Sequence, residues 1–260
     1  MYNLSFIPQE AFEHYVSETV SAYACALRAV DLRKFNENVI DPIKLLFDQK
    51  IYRKSFEEII SLEIQRQRDK TNTNTIGYFH QNLFKLLPQC EVPKKGWDVI
   101  VTRPEHRIYA ELKNKHNTMN SSSAKTVMLK MQGHILENPN DYCYLVEVLA
   151  PHSRNDVWEY SNDGVTNGHA HIRRVSVDRF YKEITGIEDA FYQICMQLPL
   201  TLEKIIASFD IGRCEKDSVI EELKRKNPDL LKALYMLAFE HYEGFGALEK
   251  ISTRRLSEIL

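Results

Sequence analysis

The sequence has no stretch rich in proline, glycine or serine that would separate two self-sufficient halves, with only nine glycines and nine prolines among 260 residues. One domain spanning residues 1–260 is therefore expected, with its catalytic core at about 75–150. The opening segment MYNLSFIPQEAFEHYV has no long apolar run and carries acidic residues, which argues against a signal peptide or a membrane-spanning helix and for a soluble, cytoplasmic protein. CxxC spacing is missing as well. Cys25, Cys90, Cys143, Cys195 and Cys214 are odd in number and scattered, which speaks against a disulfide framework and a zinc site and for buried free thiols. An excess of one charge is also absent. The formal net charge is -2, so any affinity for nucleic acid has to come from local charge and not from the average field.

What is present suits a globular chain: 43% of the residues are hydrophobic and 27% charged. Residues 9–29 and 55–68 carry apolar groups at helical spacing, among them Phe12, Val16 and Val20, then Phe56, Ile59, Ile60 and Ile64. The polar run DKTNTN reads as a break. A third helix is expected over Thr75–Leu87, with Asn74 as its N-cap and Pro88 beyond its end. The period then changes. WDVIVTR and RIYAELK read as the two strands of a hairpin turning at PEH, SAKTVMLKMQGHILEN as a helix and DYCYLVEVLA as a buried strand. VWEY and HIRRVSV are further strand candidates around the turn-rich SNDGVTNGHA, and the chain from Asp189 onward is mostly helical despite Pro199 and Pro228. The expected class is a mixed α/β fold, a central mixed sheet flanked by helices with helical elements towards both termini.

The hairpin is where chemistry concentrates. Strand alternation puts Tyr109, Glu111 and Lys113 on one face and Ile108, Ala110 and Leu112 on the other. Around them Lys94, Lys95, Arg103, Arg107 and Lys115 form a basic rim. Phosphodiester hydrolysis needs a hydroxide near neutral pH and neutralisation of charge on the transition state, and a divalent metal supplies both. Mg2+ takes oxygen ligands and keeps several waters, so Asp98 and Glu111 with the carbonyl of Leu112 suit it as a metal site. Lys113 is placed to position the attacking water and meet the phosphate. Asp98, Glu111 and Lys113 are thus the candidate catalytic set. A second Glu-x-Lys, Glu222 and Lys224, lies in the helical pattern VIEELKRK, where the two side chains diverge, and is expected to be inert.

GWDVIV followed by YAELKNK resembles the PD-(D/E)XK nuclease superfamily, whose core order of helix, three strands, helix, strand matches residues 75–149. Trp97 stands where that pattern has proline, at a position that varies in the superfamily. IQRQRDKTNTNTIGYFHQNLFK, AELKNKHNTMNSSSAKTVMLKMQGHI and RRVSVDRFYKEITG resemble the SinI-like type II restriction endonucleases over residues 63–187. That resemblance implies magnesium-dependent double-strand cleavage of unmethylated DNA at GGNCC or GGWCC by a prokaryotic enzyme. It also implies a cytosine-5 DNA methyltransferase as the other half of a restriction-modification system.

Guanine read through the major groove favours arginine or lysine, with Asn, Ser or Thr as auxiliaries. The loop and helix start after the catalytic strand offer Lys115, Asn117, Asn120, Ser121, Ser122 and Lys125, and the later turns offer Arg154, Arg173 and Arg174. The serines read equally as helix caps and the adjacent arginines as solvated side chains. Glu63 is a candidate accessory carboxylate, with Arg66 and Arg68 nearby as phosphate contacts. A palindromic site favours a homodimer, each subunit cutting one strand by in-line attack of an activated water to leave a 5′-phosphate. Two rivals stay open: a structure-specific repair or junction-resolving nuclease on the same core, and a non-catalytic DNA-binding module whose hairpin carboxylates form surface ion pairs.

Overall fold

A computed structural model describes residues 2–115, 119–162, 165–209 and 216–242, for residues 161, 162 and 165–167 the backbone alone. The chain gathers into two compact units, each built from two stretches: Met1–Ser21 with Asn74–Asp210, and Ala22–Thr73 with Ile211–Leu260.

The first unit is a mixed sheet between helices. Its strands are β1 (Cys90–Glu91), β2 (Val99–Thr102), β3 (Arg107–Lys115), β4 (Tyr142–Leu149), β5 (Asn155–Val157) and β8 (Ile172–Ser176), in the order β1-β2-β3-β4-β8-β5. β1, β2 and β3 form an antiparallel meander, β3, β4 and β8 run parallel, and β5 returns antiparallel along β8. The crossover from β3 to β4 is made by α5 (Ser121–Glu137), whose N-cap Asn120 accepts the Ser123 N–H. Asn120, and not one of the three serines, therefore caps this helix.

The period of two sorts the two faces of the sheet. Val99, Val101, Ile108, Ala110, Tyr144 and Val146 are buried in one core with Phe12 and Val16 of α1 (Gln9–Cys25), Phe180 and Tyr181 of α6 (Val177–Thr185) and Ile194 of α7 (Ala190–Ser208). On the opposite face Cys143, Leu145 and Ile172 pack with Met128, Met131 and Ile135 of α5 and with Trp158. Burying both faces is what gives β4 its nearly continuous apolar sequence.

The second unit packs α2 (Leu32–Asn36), α3 (Pro42–Tyr52), α8 (Val219–Lys226), α9 (Leu230–Phe239) and the first part of α4 (Phe56–Leu83). Its core includes Phe35, Leu45, Ile59, Ile60, Leu223, Leu231 and Leu234. A reciprocal pair of bonds between Ser55 and Glu58 opens α4 as a capping box.

Two expectations are corrected. DKTNTN is no break: α4 runs unbroken through it, so Asn74 is an interior residue and not an N-cap. Thr71 bonds back to the Gln67 carbonyl, which satisfies its hydroxyl within the helix and removes the side chain's usual competition with the backbone. The turn-rich stretch after VWEY is a small hairpin, β6 (Tyr160–Asn162) with β7 (Val165–Asn167), and Trp158 and Glu159 separate β5 from β6. No helix among the described residues is long and apolar enough to cross a membrane.

Candidate active site

The site grows from the start of β2. Val99 pairs with Ala110, so one step back Asp98 stands opposite Glu111, and cross-strand neighbours share a face. The Asp98 N–H makes the last backbone bond, to the Ala110 carbonyl at 3.1 Å. The next donor on β3, the Leu112 N–H, finds no strand opposite and bonds instead to Asp98 Oδ2 at 2.8 Å. A carboxylate has thus taken the place of a ladder acceptor. The Leu112 carbonyl faces the same edge, because the N–H and C=O of a strand residue point the same way. Gln81 Nε2, donating to the Asp98 carbonyl at 3.2 Å, steadies the backbone from the end of α4.

Lys113 lies two residues beyond Glu111 on the same face, and its Nζ donates to Glu111 Oε1 at 2.7 Å. A second lysine, which sequence reasoning missed, arrives from α5. Lys130 Nζ donates to Glu111 Oε2 at 2.9 Å and to the Gly96 carbonyl at 2.8 Å, and lies 4.0 Å from the centre of the Trp97 ring. Gly96 has φ +97°, a conformation suited to glycine, and it turns that carbonyl toward the site. Trp97 is braced by Tyr109 and His134, ring centres 5.6 and 5.7 Å away. No motif spacing links Lys130 to Glu111; only the parallel crossover does.

Electrostatics separate the two carboxylates. Burial, then the charge of Glu111, push the Asp98 carboxyl above its ordinary range, and the Leu112 N–H and the two lysines offset this in part. Burial also acts to raise Glu111, but hydrogen bonds from Lys113 and Lys130 outweigh it and hold that carboxyl low. Two titratable groups whose surroundings push them apart in this way are the pattern of a candidate acid-base or metal site.

Glu147 is a further residue that the sequence hid. The register sets it beside Lys113, on the same face, yet its side chain is only 1% exposed. Arg154 and Arg174 both pair with it, the latter through Nε at 2.8 Å. Arg173, on the opposite face, bonds to Asn155. The three arginines offered for groove reading therefore hold intramolecular partners.

Asn120, Ser121, Ser122 and Lys125 are exposed at the start of α5, Lys115 is exposed at the end of β3, and Asn117 lies outside the described residues. Glu63 belongs to the second unit, where Arg66 Nε donates to it at 2.7 Å and Gln67 at 3.3 Å. Arg68 there binds Asp217. The second Glu-x-Lys lies on α8, Glu222 accepting from Ser218 and Lys224 pairing with Glu57, so its two side chains diverge.

Among the described residues no group of three or more His, Cys, Asp or Glu is placed to hold a metal ion. The pair Asp98 and Glu111 is nonetheless a donor set of the kind magnesium accepts, since that ion fills most of its shell with water. Asp98 Oδ1 takes no hydrogen bond from the described residues, and the Leu112 carbonyl faces the same edge. The residues present fit a hard divalent cation and not a soft one.

The sequence profile of a family described as Eco47II restriction endonuclease matches residues 4–207. A type II restriction enzyme from Staphylococcus aureus, Sau96I, is 34% identical over 208 residues, 77% of this chain and 80% of its own length. The type II restriction enzyme Eco47II from Escherichia coli is 29% identical over 213 residues, 78% of this chain and 88% of its own.

Proposed function

The chain belongs to the Eco47II restriction endonuclease family and is a type II site-specific deoxyribonuclease acting on DNA, and we propose that it does so with magnesium on a PD-(D/E)XK core, cutting both strands of unmethylated duplex at GGNCC or GGWCC. The observation that carries the proposal is the cross-strand pair of Asp98 and Glu111, with Lys113 at 2.7 Å from Glu111. The order of α4, three antiparallel strands, α5 and β4 supports the assignment of the core.

Asp98, Glu111 and the Leu112 carbonyl would hold the metal. When bound, it would neutralise charge on the phosphoryl group and supply a hydroxide near neutral pH. Lys113 orients the attacking water in line with the leaving oxygen and donates to the phosphate. Cleavage leaves 5′-phosphate and 3′-hydroxyl ends. Asn120, Ser121, Ser122 and Lys125, exposed at the start of α5, and Lys115, exposed at the end of β3, contact DNA, with Asn117 as a further contact. Two copies act on a palindrome as a homodimer in the cytoplasm of a prokaryote, where a cytosine-5 methyltransferase protects the host sites. Sedimentation at the mass of a single chain in the presence of site-bearing DNA would sink the dimer.

The test is a digest of unmethylated DNA of known sequence with magnesium, ends mapped by sequencing, beside an EDTA control. Discrete magnesium-dependent cuts at GGNCC or GGWCC are expected. Cutting that persists in EDTA would remove the magnesium assignment, and nicking that follows DNA shape and not sequence would replace the GGNCC or GGWCC assignment.

A further inference from the structure

We infer that Lys130 is a positioning residue of the metal site, a resident cation that holds Glu111 against the head of β2 and keeps metal affinity low until DNA arrives. The inference rests on the reading of Asp98 and Glu111 as metal ligands.

The charges of the cluster cancel. Asp98 and Glu111 contribute two negative charges, Lys113 and Lys130 two positive ones, and both lysines are in direct contact with Glu111. A divalent cation entering this cluster meets no net attraction and has to share Glu111 with two ammonium groups. A scissile phosphate adds a further negative charge and tips the balance. By linkage, the charge that DNA brings strengthens metal binding and the metal strengthens DNA binding by the same factor.

The two lysines are anchored differently, and this gives each its part. Among the described residues Lys113 Nζ bonds only to Glu111, so it would be released to water and phosphate if Glu111 held a metal. Lys130 has Gly96 O at 2.8 Å and the Trp97 ring at 4.0 Å besides Glu111, and these two anchors do not depend on Glu111. Trp97, standing where the superfamily pattern has proline, supplies the ring that makes the arrangement possible.

Calorimetric titration of the full chain with Mg2+ alone, without DNA and at fixed ionic strength, tests this on Lys130→Met, Lys130→Arg and Trp97→Leu. Removing a positive charge this close to a divalent ion is expected to tighten Mg2+ binding at least about tenfold. Lys130→Met then cuts site-bearing DNA more slowly in single turnover even at saturating Mg2+, with DNA affinity kept, because Glu111 has lost its hold on β2. Lys130→Arg returns Mg2+ affinity towards the wild type, and Trp97→Leu, which keeps the charge but loosens it, tightens binding less than Lys130→Met. Unchanged or weaker Mg2+ binding in Lys130→Met, or an arginine that behaves like methionine, overturns the inference. Asp98→Asn and Glu111→Gln separate the two levels. If both cut at the wild-type rate, the reading of the site fails. If both are dead while Lys130→Met binds Mg2+ as the wild type does, the role of Lys130 alone fails.

Discussion

Asp98 closes the sheet with one carboxylate oxygen, Oδ2, which accepts the Leu112 N–H, while Oδ1 takes no hydrogen bond from the described residues. Because burial and Glu111 raise its folded-state pKa above the ordinary value, its charge costs stability. The sign follows: the penalty is full above the raised folded pKa, shrinks as pH falls through it, and is gone below the unfolded value. Asp98→Asn keeps an acceptor for Leu112 and removes the charge. It should lose cleavage by more than about 100-fold while unfolding at higher denaturant than the wild type at neutral pH, without metal, a gain that disappears in acid. A variant destabilised at neutral pH would show that the charge of Asp98 is well accommodated. Asp98, Glu111 and Lys113 were legible in the sequence because period two and a turn signal fix who shares a face. Lys130 was not, since a lysine on a helix surface looks like any other until the crossover brings it over Trp97. Glu147 was hidden more deeply, as one acid inside an apolar strand.

At the scale of elements, β4 carries that acid into an ion triad whose carboxylate is buried and whose two arginines are partly exposed. Glu147 is 1% exposed and faces two guanidinium groups. Breaking a buried pair by removing one partner leaves an uncompensated charge, so Glu147→Gln is expected to cost about 3 kcal/mol, read as a lower midpoint in urea, and to displace the end of β4 beside Lys113. A loss near zero would show that water already reaches both arginines. α4 gives a second prediction at this scale. In the interior of a continuous helix a proline removes a bond and clashes with the preceding turn, so Lys70→Pro should cost about 3 kcal/mol. If DKTNTN were the loop its composition suggests, the same change would be nearly silent. Composition misled there because Thr and Asn are modest helix formers whose shortfall, a few tenths of a kcal/mol each, is small beside the packing of the apolar face on the preceding turns.

For the whole molecule, the mixed α/β class followed from the alternation of elements, whereas the partition of the chain did not, since residues distant in sequence are brought together in each unit. Of the three points at which the chain passes between the units, two fall inside α1 and inside α4, each of which is a continuous helix there. We propose that residues 1–260 nevertheless unfold as one domain, with a single thermal transition whose calorimetric and van't Hoff enthalpies are equal. Two resolved transitions would assign the units to separate domains. The same threading governs synthesis. The core of the second unit joins Phe35, Ile59 and Ile60 to Leu223, Leu231 and Leu234, and that of the first joins Phe12 and Val16 to Ile194. Neither core can close while the growing chain is short of these late residues, so folding on the ribosome is deferred for both units. For an enzyme that cuts DNA, a half-made chain therefore carries no closed core, and cleavage waits until α7 has been made.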